Sequence, residues 1–346
     1  MKRIQVLPVA ALTVVGVLAG CSGGGGGGSA QSQSSLTVSL MDAPVDGVTA
    51  VYVKITAMWI KPQGNGAAVQ LPMPNGPMTV NLMGLTDKNA AILVDGAAIK
   101  PGSYDWIEMQ IAAEPNVRDS YVITTTGAEQ EVETDLSVPS GRMRLVGGFT
   151  VPDSPAVKLL FDWDMRQGLV YPPGKQQYFL KPAFRMIDVT AAPGSGGTGG
   201  TGGGTGGGGT APGVLQGTIA AAVVGTSLSS MLNVCAADSE TDLDVGNVVY
   251  VFSGAGVTPD DIDGTGDPIT TVTATRNAAG DYVYSTPIAP GTYSVTFTCQ
   301  AANDDPLFDE TGTAKQLVFA PEVDITNTGG VSIVDFSAAF PPPTPR

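Results

Sequence analysis

The hexapeptide FDWDMR, residues 161–166, carries the most concentrated chemistry in the chain. In a strand, Asp162, Asp164 and Arg166 point to one face and Phe161, Trp163 and Met165 to the other. Carboxylates two residues apart on one face stand about 6–7 Å apart, near the spacing at which an inverting glycosidase sets its acid and base. The preferred reading is plainer: a solvated face with an Asp–Arg contact, beside a core-facing Phe–Trp row. A glycosidase also needs a sugar-shaped cleft, and no sequence feature announces one.

A second candidate is TPDDIDGTGD, residues 258–267. Asp261 and Asp263 beside Gly264 are hard oxygen donors of the kind calcium takes. The EF-hand pattern fails, because that alignment puts Pro259 at the first ligand position and Thr270 at the last. A solvated acidic loop is the default, with calcium as the only cofactor these residues would suggest. Glu240, Asp242 and Asp244 form another acidic alternation, and Asp304-Asp305 another pair.

The chain contains no histidine. That removes the usual general base near neutral pH, and with it Ser-His-Asp triads, Cys-His dyads and histidine-ligated zinc. Chemistry would rest on carboxylates, lysine or tyrosine, and no catalytic set is assigned. The net charge is −15, which excludes nucleic acid as a partner because a polyanion is repelled. The charge is uneven. Residues 30–192 carry 12 Lys/Arg and 16 Asp/Glu, whereas residues 211–346 carry 3 and 16.

The elements that must position these residues follow from patterning. Lys2 and Arg3 precede an apolar run from Ile4 to Leu18, the layout of an export signal and too short for a comfortable membrane span. Leu18-Ala19-Gly20-Cys21 resembles a bacterial lipobox. The resemblance implies cleavage before Cys21, diacylglycerol on its thiol and a further acyl chain, palmitate-like, on the new amine. Two or three chains anchor stably where one does not. Ser22 in place of an aspartate implies the outer membrane, and Gly23 to Gly28 reads as a tether. With Cys21 acylated, Cys235 and Cys299 remain. In an exported chain they pair most simply with each other; two buried free thiols are the alternative.

Short β-branched and aromatic runs between Gly, Pro, Asn and Asp predict an all-β chain of two antiparallel β-sandwich domains. The expected division is a signal (1–20), the lipidated cysteine and tether (21–34), a first sandwich (35–190), a Gly/Thr-rich linker (191–213), an acidic second sandwich (214–337) and a Pro-rich tail (338–346). Leu36, Val38 and Leu40 alternate as a half-buried strand. Further strands are expected at 48–60, 78–82, 103–112, 121–126, 142–151, 157–162 and 177–189, with a helical turn within 81–95. In the second domain they are expected at 214–223, 248–252, 271–275, 282–285, 293–298, 316–319 and 331–336. Trp59, Trp106 and Trp163 read as core fillers rather than sugar platforms. The linker, GSGGTGGTGGGTGGGG, should let the two domains move independently.

LTVSLMDAPVDGVTAVYVKI, RLVGGFTVP, LLFDWDMRQGL and YFLKPAFRMID resemble the blocks of a bacterial lipoprotein family known as domain of unknown function 4382, over roughly residues 35–189. The resemblance implies export and a β-rich fold but no established activity. Pro290-Gly291-Thr292-Tyr293 resembles the turn and strand of transthyretin-like and carboxypeptidase-regulatory sandwiches, with Gly291 expected at positive φ. Pro101-Gly102-Ser103-Tyr104 repeats the motif in the first domain.

Together these features predict an exported lipoprotein at the cell outer membrane, facing the periplasm or the surface. Its partners would be the bilayer, through acylated Cys21, and an envelope protein or glycan. The expected role is non-catalytic binding or adhesion. An accessory subunit of an outer-membrane transport or secretion machine and a carboxylate-based glycan hydrolase are the alternatives.

Overall fold

The computed structural model describes residues 33–85, 89–126, 130–153, 156–190, 211–225, 244–310 and 317–337. The lipobox, its tether, residues 191–210 of the linker, Cys235 and the tail from 338 lie outside these residues. Among the described residues no helix is long and apolar enough to cross a membrane.

The described chain is nearly all β. The first sandwich contains β1 (Ser34–Ala43), β2 (Ala50–Pro62), β3 (Val69–Leu71), β4 (Met78–Asn81), β5 (Ala91–Ile99), β6 (Gly102–Ala112) and β7 (Tyr121–Thr126). It continues with β8 (Gln130–Ser137), β9 (Arg142–Val151), β10 (Val157–Asp164), the one-turn helix α1 (Met165–Gly168), β11 (Leu169–Val170), β12 (Tyr178–Leu180) and β13 (Phe184–Asp188). One sheet runs β13-β10-β1-β5. The facing sheet runs β11-β12-β8-β7-β2-β6-β9, with β3 and β4 paired to β2. Leu36, Val38 and Leu40 of β1 and Val51, Val53 and Ile55 of β2 meet in one fully buried core, as the period-2 pattern requires.

The second sandwich contains β14 (Gly213–Ile219), the short helix α2 (Ala221–Gly225), β15 (Val248–Ser253), β16 (Thr270–Thr273), β17 (Thr275–Arg276), β18 (Tyr282–Ile288), β19 (Gly291–Thr298), β20 (Val323–Asn327) and β21 (Val331–Ile333). Its sheets run β17-β18-β14-β21 and β16-β15-β19-β20. Gly217 is required where the chain after β21 crosses β14. A Cβ there would lie 1.7 Å from the Val334 carbonyl oxygen.

Several expectations need correction. The sheets are mixed rather than purely antiparallel: β1 pairs β10, β12 pairs β8 and β14 pairs β21 in parallel. β1 and β10 are separated by a long excursion through the facing sheet, and a crossover of that length permits parallel pairing. Among the described residues, the turn expected within 81–95 spans Leu82–Gly84. β5 follows it, because Leu93, Val94, Ala97 and Ile99 complete the core against β1. β8 escaped notice because most of its side chains are polar and its first half is exposed, while its backbone pairs with β7. Residues 317–319 lie in no strand, although Leu317 is buried, and β20 takes the sheet edge instead.

Candidate functional site

β10 sits between β13 and β1, and its inner face behaves as its sequence predicts: Phe161 and Trp163 are fully buried in the first core, with Met165 just beyond. The outer face does not. Asp162, Asp164 and Arg166 are 2%, 4% and 2% exposed, so the expected solvated face is in fact covered. The cover is the second sandwich.

Asp162 Oδ2 accepts from Arg185 Nη2 at 2.6 Å and from Thr270 Oγ1 at 3.3 Å. Arg185 is placed by β13, opposite Asp162 in register, and its Nη2 also donates to the Pro287 carbonyl at 3.0 Å. Asp164 Oδ2 accepts from the backbone N–H of Thr271 at 2.7 Å and from its hydroxyl at 2.9 Å. The same carboxylate caps α1 through the Gln167 N–H, 3.3 Å from Oδ1. Burial raises the Asp164 pKa, partly offset by the Thr271 hydrogen bonds. Arg166 Nη1 donates to the Ala301 carbonyl at 2.6 Å, and Nη2 to Asp46 Oδ2 at 2.7 Å. Burial works against the Arg166 charge, yet Asp46, with Tyr250 and Asp304 nearby, holds it above its ordinary value. Thr273 Oγ1 donates to the Pro44 carbonyl at 3.1 Å.

These bonds form a buried polar joint between the sandwiches, which overturns the expectation of independent motion. The glycine run sets only how freely the chain can connect the two halves. Whether they move is decided by the buried groups that separation would leave without partners, at about 1–3 kcal/mol for each neutral group and more for each charge.

Beside the joint is a cleft of about 680 Å³. Met41, Asp42, Pro44 and Asp162 line it from the first sandwich. From the second, residues of β14, β16 and β18, with Ile333 and Asp335, form the opposite wall.

The second sandwich holds a separate carboxylate cluster. One oxygen from each of Asp261, Asp304 and Glu310 lies within 4.8 Å of the other two. Glu310 N donates to Asp261 Oδ2 at 2.9 Å, and Ile262 N donates to Asp304 Oδ1 at 3.0 Å. The Tyr250 hydroxyl donates to Asp304 Oδ2. Burial, with the neighbouring Asp261 and Asp304 carboxylates, pushes Glu310 up to about 8, so it keeps its proton at neutral pH. Burial also pushes Asp304 up to about 6, against hydrogen bonds from Tyr250 and Ile262. Asp261 is shifted the other way: burial opposes its charge, but hydrogen bonds from Glu310 lower its pKa.

The structure therefore separates the two sequence candidates for calcium. Asp261 joins the cluster. Asp263 instead accepts from the Thr265 N–H at 2.7 Å within its own turn. The donor set is all oxygen, which suits a hard cation, but such a cation would first have to displace the Glu310 proton. Asp304 was visible as half of an acidic pair. Glu310, Thr271 and Arg185 were not, because only tertiary contact gives them their partners.

Among the tryptophans, only Trp163 is wholly in the core. Trp59 and Trp106 are partly exposed, and the Arg144 guanidinium lies 4.0 Å over the Trp106 ring while pairing with buried Glu108 at 2.6 Å. Cys299 is buried at the end of β19.

Comparison with known proteins adds one firm point. Residues 33–182 match the family described as Domain of unknown function (DUF4382). That stretch is the first sandwich up to β12 and includes Asp162, Asp164 and Arg166. No curated protein matches the chain. Among solved structures, a candidate adhesin from Bacteroides ovatus ATCC 8483 aligns at 10% identity over 94% of this chain and 100% of that one, with a TM-score of 0.18. A candidate cell adhesion protein from Bacteroides fragilis NCTC 9343 aligns at 10% identity over 87% and 92%, with a TM-score of 0.19. Likeness at that level does not define a shared fold.

Proposed function

We propose that the chain is a lipid-anchored, non-catalytic binding or adhesion module of the bacterial outer membrane. The observation that supports this most is the state of its most reactive side chains. Asp164 and Arg166 are sealed into the joint, and Asp162 holds Arg185. An acid–base pair must exchange protons with a substrate, and a carboxylate closed under a second domain is poorly placed to do so. The cleft beside the joint offers a concave surface without histidine or an evident nucleophile–base pair, which suits binding better than turnover.

The anchor in this proposal is Cys21, carrying acyl chains after export. A Cys235–Cys299 disulfide belongs to the same picture, since an oxidising envelope favours pairing of the two remaining thiols. The partner is an envelope glycan or protein.

Growth with an alkynyl fatty acid is expected to label the wild type and leave Cys21→Ser unlabelled. The purified chain is expected to release no reducing ends from cell-wall or exopolysaccharide preparations. Labelling of Cys21→Ser would remove the anchor. Sugar release that disappears in a D162N/D164N double variant would replace the binding module with a hydrolase.

A further inference from the structure

The joint is built so that each sandwich neutralises its own charges. Among the described residues every ion pair joins partners in one sandwich. Asp162 is answered by Arg185 and Arg166 by Asp46, all four on the first. Every hydrophobic cluster among the described residues likewise belongs to one sandwich. What the second sandwich offers across the joint is neutral. It supplies the hydroxyls of Thr270, Thr271 and Thr286, the Thr271 N–H, and the carbonyls of Pro268, Pro287 and Ala301. Tyr250 and Asp304 act on Arg166 from a distance. Two buried atoms of the joint, Asp162 Oδ1 and Arg166 Nε, have no hydrogen-bond partner among the described residues.

We propose that the joint is a reversible clasp: it opens as one event, with both sandwiches still folded, and uncovers the outer face of β10 and the edge strand β16. A buried ion pair is costly to break because one charge is left behind alone. Here no ion pair breaks, since Arg185 and Asp46 leave with their own partners. Opening also returns water to Asp162 Oδ1, to Arg166 Nε and to Asp164, whose charge burial disfavours. A polar contact without a shared apolar core has the character of a transient interface between domains. The hydrogen bonds across it make the closed form the resting state, so the sandwiches part together rather than drift independently. Residues 191–210, which connect them, span at most about 70 Å when extended, so the parted sandwiches stay within reach of each other. Opening creates no acid–base pair, because Asp162 keeps Arg185.

The test is native-state hydrogen exchange on the full chain in detergent, read at the Thr271 amide. That N–H lies on the edge strand β16 and donates to Asp164, so its protection reports the joint. It is expected to exchange roughly a hundredfold or more faster than the slowest amides of β15 and β19. Its rate should also depend far less on urea, since opening exposes much less surface than unfolding. Fraying of β16 alone would give the same rates, so variants away from that strand separate the two causes. Arg166→Gln removes the bond to the Ala301 carbonyl, and Thr286→Val removes one from Arg185 to β18. Each is expected to speed Thr271 exchange by roughly threefold to tenfold, the equivalent of one hydrogen bond. If Arg166→Gln fails to fold, Thr286→Val alone decides. Thr271 exchange that matches the β15 and β19 amides in rate and urea dependence would mean that the halves part only on unfolding. Exchange left unchanged by the folded variants would assign it to β16 fraying. Either result overturns the clasp.

Discussion

The two sandwiches share a corner and differ in how they neutralise buried charge. In the first, the Tyr104 hydroxyl donates to the Lys100 carbonyl at 2.7 Å; in the second, the Tyr293 hydroxyl donates to the Ala289 carbonyl at 2.8 Å. Each Pro-Gly-x-Tyr motif thus folds its ring back by four residues onto the carbonyl before the proline. The glycines serve different ends. Gly102 has φ +136°, which only glycine adopts easily, whereas Gly291 is not in the positive-φ region. At Gly291 the constraint is space, because a Cβ would lie 2.7 Å from the Tyr293 hydroxyl oxygen. The motif carried the hydrogen bond in both places, but the expected positive φ held in only one.

Two buried carboxylates of the first sandwich face arginines, Glu108 with Arg144 and Asp162 with Arg185, while Asp164 is held by Thr271 across the joint. Those of the second face each other and a tyrosine: Asp261 with Glu310, and Asp304 with Tyr250. The reason is in the composition. With 3 Lys/Arg against 16 Asp/Glu in residues 211–346, the second sandwich has few cations to bury, so protons and hydroxyls take their place. The first half should therefore respond to loss of a cation, and the second to pH.

The largest expected effect is on the first half. Arg185→Met would leave the Asp162 carboxylate buried without its cation, at a cost of about 3–5 kcal/mol, read as a lowered urea midpoint. A change below about 1 kcal/mol would remove the distinction between the halves.

The second half is tested by pH. Glu310 has an ordinary value of 4.5 and is raised to about 8. Between those values the native state holds a proton that the unfolded chain has released. Stability from this group therefore falls as pH rises through that window. Asp304, raised from 3.8 to about 6, acts in the same direction over its lower window. Glu310→Gln is expected to flatten the decline between pH 6 and 8 and to exceed wild type at pH 9 by on the order of 1 kcal/mol. Melting curves at pH 5, 7 and 9 test it, and a wild-type melting temperature that climbs through that range would contradict it.

Smaller and equal effects are expected at the shared corner. Tyr104→Phe and Tyr293→Phe each lose one hydrogen bond, about 1 kcal/mol; losses differing by much more would mean that the corners are not equivalent. The smallest effect belongs to Arg118 and Glu133, a pair 65% and 42% exposed. Glu133→Gln should leave the denaturation midpoint indistinguishable from wild type, as solvent and salt screen such pairs.

By itself the sequence determined that the chain is all-β, that Leu36, Val38, Leu40, Val51, Val53 and Ile55 point inward, and that Phe161 and Trp163 face a core. Those features follow from the two-residue period of a strand, which is local. It also determined that no histidine chemistry exists and that the second half is short of cations, since both are properties of composition. Tertiary structure decided what lies over the other face of β10. Alternation states that Asp162, Asp164 and Arg166 share a side, but not whether water or Thr270, Thr271 and Ala301, more than 100 residues away, will meet them. It also decided that Asp261 meets Glu310 rather than Asp263, because a carboxylate's partner is set by which loops the sheets bring together and not by nearness along the chain.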